Sequence, residues 1–160
     1  MVRGMWSKLF GIGDLDGAKF TQLVAKIGVK TGRLEEPTVD PENMRVYAAD
    51  WKAKLVVCLD FDPQQGFRER WIRQQKMFCF PSLCGDAGNR QLVGMDYDSS
   101  YGDQVVWRDA ATGEEVARSA YLDPNFNGST VGPGSNGRFY YLAQTYKAIV
   151  ELTPVPAPQG

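Results

Sequence analysis

The residues best placed to do chemistry are carboxylates at the ends of extended runs. Asp40, Asp50 and Asp96 end or follow such runs, and Glu35 and Glu36 lie close to the first. Together they would offer an all-oxygen donor set, the kind that holds Ca²⁺. Asp and Asn are also the usual residues of turns, and that structural account comes first for each. A second group is aromatic. Trp51, Tyr97, Tyr101, Tyr121, Phe126 and Tyr146 fall in or near loops. Loop aromatics on a rigid scaffold suit stacking on sugars or gripping peptides, with packing between neighbouring units as the favoured alternative. Trp51 and Tyr146 occupy equivalent tight hairpins after a Tyr-containing strand, and Tyr97 and Tyr101 a longer version of it. These four are the expected ligand-binding residues.

Other chemistries are excluded by composition. The 160 residues contain no histidine, which removes Ser-His-Asp and Cys-His nucleophile systems, His-ligated zinc and His-ligated haem. Catalysis would have to run on carboxylates, Lys, Tyr or an oxygen-held metal. Of three cysteines, Cys58 sits in the apolar run Leu55-Val56-Val57-Cys58-Leu59 and reads as a small core residue. Cys79 and Cys84 are close enough in sequence for a local disulfide, although an odd count at this spacing argues against a disulfide framework. Lys and Arg total 18 against 19 Asp and Glu, a balance without the electrostatic footprint of a nucleic-acid or anionic-membrane binder. Arg68, Arg70, Arg73 and Lys76 form the best local basic patch, and a solvated strand face explains them. Gly132-Pro133-Gly134-Ser135-Asn136-Gly137 lacks the Lys-Ser/Thr of a phosphate loop and reads as a turn.

Those residues need a scaffold, and the chain supplies it by repetition. Asn43, Asn89 and Asn136 stand 46 and 47 residues apart, and each opens a strand: Met44-Arg45-Val46-Tyr47, Arg90-Gln91-Leu92-Val93, Gly137-Arg138-Phe139-Tyr140. In the same register, Asp62-Pro63-Gln64-Gln65-Gly66 lies 47 residues before Asp109-Ala110-Ala111-Thr112-Gly113. An Asp-x-x-x-Gly segment after an apolar strand suits a turn closed by Asp and released by Gly at positive φ. One unit is therefore four antiparallel strands. The expected strands are 35–39, 45–49, 54–61 and 67–73, then 76–82, 91–96, 103–108 and 115–121, then 129–132, 138–144 and 147–153. Upstream, 6–10 and 19–27 look like the end of an earlier unit, with a short helix over 20–27 as the alternative. The Pro-rich tail, 154–160, cannot join a ladder.

Four strands repeated every 40 to 50 residues or so match the blade of a β-propeller. The stretch Glu36-Pro37-Thr38-Val39-Asp40-Pro41-Glu42-Asn43-Met44-Arg45-Val46-Tyr47-Ala48-Ala49-Asp50 is similar to NHL-type and gluconolactonase-like blades. The stretch Val106-Trp107-Arg108-Asp109-Ala110-Ala111-Thr112-Gly113-Glu114-Glu115-Val116 resembles a quinoprotein-type blade, whose Asp-x-x-Thr-Gly is followed by a docking Trp. Ala117 stands at that Trp position, whereas the first unit carries Trp71 near it, five residues after Gly66. The gluconolactonase-like resemblance implies a central metal held by carboxylates and Asn, with Ca²⁺ the cofactor to expect.

The fold expected is all-β: one propeller-like domain over 1–153 with about three blades, and a tail over 154–160. Propellers typically close with 4 to 8 blades, so closure calls for a homodimer or for partner blades from a longer protein. Either way a lone copy would expose apolar faces. The function expected is a non-catalytic binding or scaffold module for a protein or carbohydrate ligand. The alternative is a truncated or oligomeric gluconolactonase-like or quinoprotein-like enzyme using carboxylates and a divalent metal. No secretory h-region opens the sequence, so its face value is cytoplasmic, and extracytoplasmic if the chain is a fragment of a longer secreted protein.

Overall fold

The computed structural model describes residues 37–50, 53–76, 78–98, 102–122, 130–143 and 147–154. The strands expected over 6–10 and 19–27 lie outside the described residues, as do Glu35, Glu36, Trp51, Tyr101, Phe126 and Tyr146.

Eleven strands are described, in three antiparallel meanders. The first sheet runs β1 (Thr38–Asp40), β2 (Arg45–Asp50), β3 (Leu55–Asp62), β4 (Gly66–Gln74) in that spatial order. The second runs β5 (Phe78–Cys84), β6 (Gln91–Asp98), β7 (Gly102–Asp109), β8 (Glu115–Arg118). The third has β9 (Thr130–Pro133), β10 (Phe139–Ala143) and β11 (Ala148–Leu152). β5 lies against β1 and β2 on one side and β9 on the other. The first strands of the sheets are thus neighbours, as in the inner ring of a propeller. The fold is all-β and propeller-like.

Turn chemistry sets these meanders. Asp62 accepts from the backbone N–H of Gln64 and Gln65, and Asp109 from those of Ala111 and Thr112. Gly66 (φ 81°) and Gly113 (φ 74°) then release the chain into the fourth strand. Asp86 closes the turn before β6 in the same way, accepting from Gly88 and Asn89. The tight hairpins at Ala53–Lys54 and Lys147 both place a lysine at positive φ, at 59° and 50°.

Central strands are buried on both faces, which is why they read as unbroken apolar runs. Val56 and Cys58 of β3, with Tyr47 and Ala49 of β2 and Trp71 of β4, face Leu92, Val106 and Ala110 of the second sheet. Val57 and Leu59 point the other way, with Ala48. The second sheet is sandwiched, so alternate residues serve alternate clusters. Val93, Met95, Val105 and Trp107 pack against Phe139 and Tyr141 of the third sheet.

The local disulfide weighed for Cys79 and Cys84 is not formed: Cys84 is a free, buried thiol. Both lie on β5. Five residues of extended chain span about 16 Å, far beyond the Cα separation a disulfide bridges. The fourth strand of the second sheet ends at Arg118 rather than near residue 121. From there Ser119 holds β7 by its own backbone and hydroxyl, exchanging bonds with Val105. An isolated bridge joins Leu122 to Asp103.

Among the described residues three large apolar side chains are exposed: Val116, Tyr121 and Ile149. No helix among them is long and apolar enough to cross a membrane.

Candidate ligand-binding cleft

Where the first and second sheets meet, the Asp109–Gly113 turn is gripped from the neighbouring sheet. The Trp71 indole lies against Gly113, where a Cβ would come within 2.6 Å of the ring. Its Nε1 donates to the Ala110 carbonyl (3.2 Å), which also accepts from the Tyr47 hydroxyl (3.2 Å). A bulge in β4 leaves Arg70 without a partner residue on β3, and bulges re-aim side chains. Arg70 Nε reaches the Ala111 carbonyl (2.8 Å), and Arg73 Nη2 reaches that of Thr112 (2.6 Å). Three successive carbonyls are thus capped from the first sheet. At the same end of the strands, Arg90 Nε pairs with the buried Asp40 at 3.3 Å, and Asn43 donates to the Ala87 carbonyl.

Between these fixed sheets opens a cleft of about 680 Å³. Its first wall is Ala53 and Lys54 of the β2–β3 hairpin, then Gln74 at the end of β4 with Gln75 and Lys76 beyond it. Gln75 is anchored by its N–H to the Lys54 carbonyl, 2.9 Å. The second wall is Asp96 of β6, Gln104 and Arg108 of β7, Glu115 and Arg118 of β8, and the exposed Tyr121 beyond.

The polar groups hold one another in place. Arg118 forms a fork on Glu115 (2.8 and 2.7 Å) and donates to Asp96 (2.7 Å) and Gln104 (3.1 Å). Its bonds to Glu115 raise the guanidinium above its usual pKa against the pull of burial, and the bond to Asp96 adds to this. Arg108 crosses between the walls, donating from Nε to Gln75 Oε1 at 3.1 Å and from Nη1 to the Gly113 carbonyl at 2.9 Å. It is only 5% exposed, and desolvation draws its pKa down.

The expected site residues separate. Asp96 lines the cleft. Tyr97 follows it on β6, half-buried. Asp50 closes its own hairpin, accepting from the Ala53 N–H at 2.8 Å. Asp40 accepts from both the backbone and side-chain nitrogens of Asn43. These three aspartates do not converge, and among the described residues no group of three Cys, Asp or Glu comes together to hold a metal. Glu35 and Glu36, which the sequence groups with them, lie outside the described residues. The sequence reading missed Arg108, Arg118, Glu115, Gln75 and Gln104. The signal it had was Arg108, a charge placed directly after the apolar run Val105-Val106-Trp107.

No protein-family model matches the chain, and comparison with curated proteins finds no match either. Among solved structures the chain is similar to a europium-containing methanol dehydrogenase, at 15% identity and a TM-score of 0.43. The alignment covers 69% of this chain and 21% of that one, so the chain spans about a fifth of the enzyme's length.

Proposed function

We propose that the chain is a non-catalytic binding module of the β-propeller kind, and that the cleft between its first two sheets takes a carbohydrate. One observation carries this reading: planar polar side chains, Gln75, Gln104, Asp96, Glu115 and two arginines, converge on a cavity of about 680 Å³ beside an exposed tyrosine. Sugars present hydroxyls at their edges and C–H faces above and below the ring. Amide, carboxylate and guanidinium groups answer the first, and an aromatic face answers the second. The volume falls within the range of small-molecule sites.

The cleft favours binding over catalysis because both its carboxylates are engaged by Arg118. The contact of Trp71 with the Asp109–Gly113 turn supports the quinoprotein-type blade among the resemblances. Residues 1–153 would then be one three-bladed unit, completed by a second copy or by partner blades.

Amide-resolved NMR titration of the full chain with short oligosaccharides tests the proposal. Shifts should concentrate on the side-chain amides of Gln75 and Gln104 and around Tyr121, and Tyr121→Ala should weaken binding by about tenfold. Hydrolysed or oxidised saccharide in the titration, or a melting temperature raised by Ca²⁺ alone, would instead favour the metal-dependent enzyme.

A further inference from the structure

Among the described residues each sheet ends, away from β1, β5 and β9, on an edge strand, and the three edges are not alike. β4 is guarded: a bulge interrupts its pairing with β3, and Arg68, Glu69 and Arg70 stand exposed in succession along it. β8 is guarded too, by a bulge in its pairing with β7 and by Glu115 and Arg118 at its two ends. Bulges and charge are devices that keep an edge from pairing. β11 pairs with β10 at all five residues without a bulge, and among the described residues with β10 alone. Its run Ala148-Ile149-Val150 is apolar, Ala148 is exposed and Ile149 is 65% exposed. β11 also holds the third place in its sheet, the place in which β3 and β7 each take a fourth strand. A regular, apolar edge is a template for another strand.

We propose that β11 pairs antiparallel with β11 of a second copy of this chain, across a twofold axis at Ile149, so that two third sheets become one. The proposal does not depend on the carbohydrate reading. The strand's own sequence selects this occupant and this register. Alternate residues lie on opposite faces of a strand, and directly opposed residues share a face, so a twofold axis normal to the sheet falls on a residue. At Ile149 it sets Ile149 against its own copy, Ala148 against Val150, and Lys147 of the preceding hairpin against Glu151. Apolar meets apolar, and each end joins opposite charges. An axis at Val150 would set Ile149 against Glu151, and one at Glu151 would oppose two carboxylates. Glu151 is held on the face it shares with Ile149 by the Tyr140 hydroxyl at 2.9 Å and by Arg138 at 3.6 Å, and its side chain stays 45% exposed. Lys147 is exposed as well.

Light scattering of the full chain over a concentration series tests the pairing. A contact this short belongs at the low end of interface sizes, so the dimer should form at high concentration and dissociate on dilution. Ile149→Lys alters an exposed side chain, sets like charges at the axis, and should weaken the dimer about tenfold or more. Lys147→Glu should weaken it by a smaller factor, and adding Glu151→Lys should restore it. Cross-linking under oxidised glutathione reads the register. Cβ atoms directly opposed across two strands lie about 5 Å apart, close to the span of a disulfide. Ile149→Cys should therefore give a disulfide-linked dimer well beyond the unsubstituted chain, and Ala148→Cys should not. A monomer at every concentration overturns the proposal, whether the edge is then bare or covered by another segment of the same chain. A dimer indifferent to Ile149→Lys overturns it too, as does cross-linking of Ala148→Cys as readily as of Ile149→Cys.

Discussion

The two boundaries between sheets solve the same problem differently. At the first, Trp71 from the outer strand docks on Gly113, and three successive turn carbonyls accept side-chain donors from the first sheet. At the second, the outer strand carries Ala117, paired across from Trp107. The indole has moved one strand inward. Its Nε1 donates to the Gly137 carbonyl at 2.9 Å, and Tyr141 reaches Asp103 at 3.4 Å. Phe139 and Tyr141 add apolar burial there. Directional bonds to a rigid turn fix one sheet against the next, whereas apolar contact is non-directional. The contrast teaches that the cleft is built where the boundary is locked. Fewer side-chain bonds are described across the second boundary, which predicts that it opens more readily than the first.

The largest expected effect tests the lock itself. Gly66 and Gly113 end equivalent turns at similar positive φ, but a Cβ at Gly66 meets nothing within 4 Å and one at Gly113 meets the Trp71 ring. Gly113→Ala should cost about 3 kcal/mol, backbone strain plus overpacking, and Gly66→Ala only about 1–2 kcal/mol for the backbone alone. Denaturant midpoints compare them, and equal losses would mean that the indole contact contributes nothing.

A smaller effect separates the two tryptophans. Trp71→Phe removes a donor from the Ala110 carbonyl, which keeps the Tyr47 hydroxyl. Trp107→Phe leaves the Gly137 carbonyl with no side-chain donor among the described residues. The second substitution should cost more than the first by about 1 kcal/mol, the scale of one unreplaced hydrogen bond. The reverse order in chemical denaturation would show that the second boundary does not depend on its indole bond.

Much of the scaffold was legible because its signals are local. Repetition and the turn residues between apolar runs placed the eleven described strands to within a few residues. The two Asp-x-x-x-Gly segments named turns that the structure builds from Asp acceptors and positive-φ glycine. The cleft was less legible because it is assembled across the repeat. Gln75, Arg108 and Arg118 meet only once two sheets are stacked, and Glu115 and Arg118 on an edge strand read as ordinary solvated charge. Asp96, two residues before the end of β6, pairs with Arg118, a partner the sequence reading did not name. Asp40 likewise serves the boundary through Arg90.

The two boundaries carry their own reporters. Cys58 is buried in the first apolar cluster and Cys84 in the second. Burial pushes the Cys58 thiol up to about 12 and the Cys84 thiol up to about 11. At pH 8 both are held as thiols in the closed state, so alkylation must wait for the covering sheet to open. Peptide-resolved alkylation of the native chain at pH 8 therefore measures each boundary separately. Cys84 should label well before Cys58, with the order lost in Gly113→Ala. Cys58 labelling first, or both at one shared rate, would contradict a locked first boundary and a looser second one.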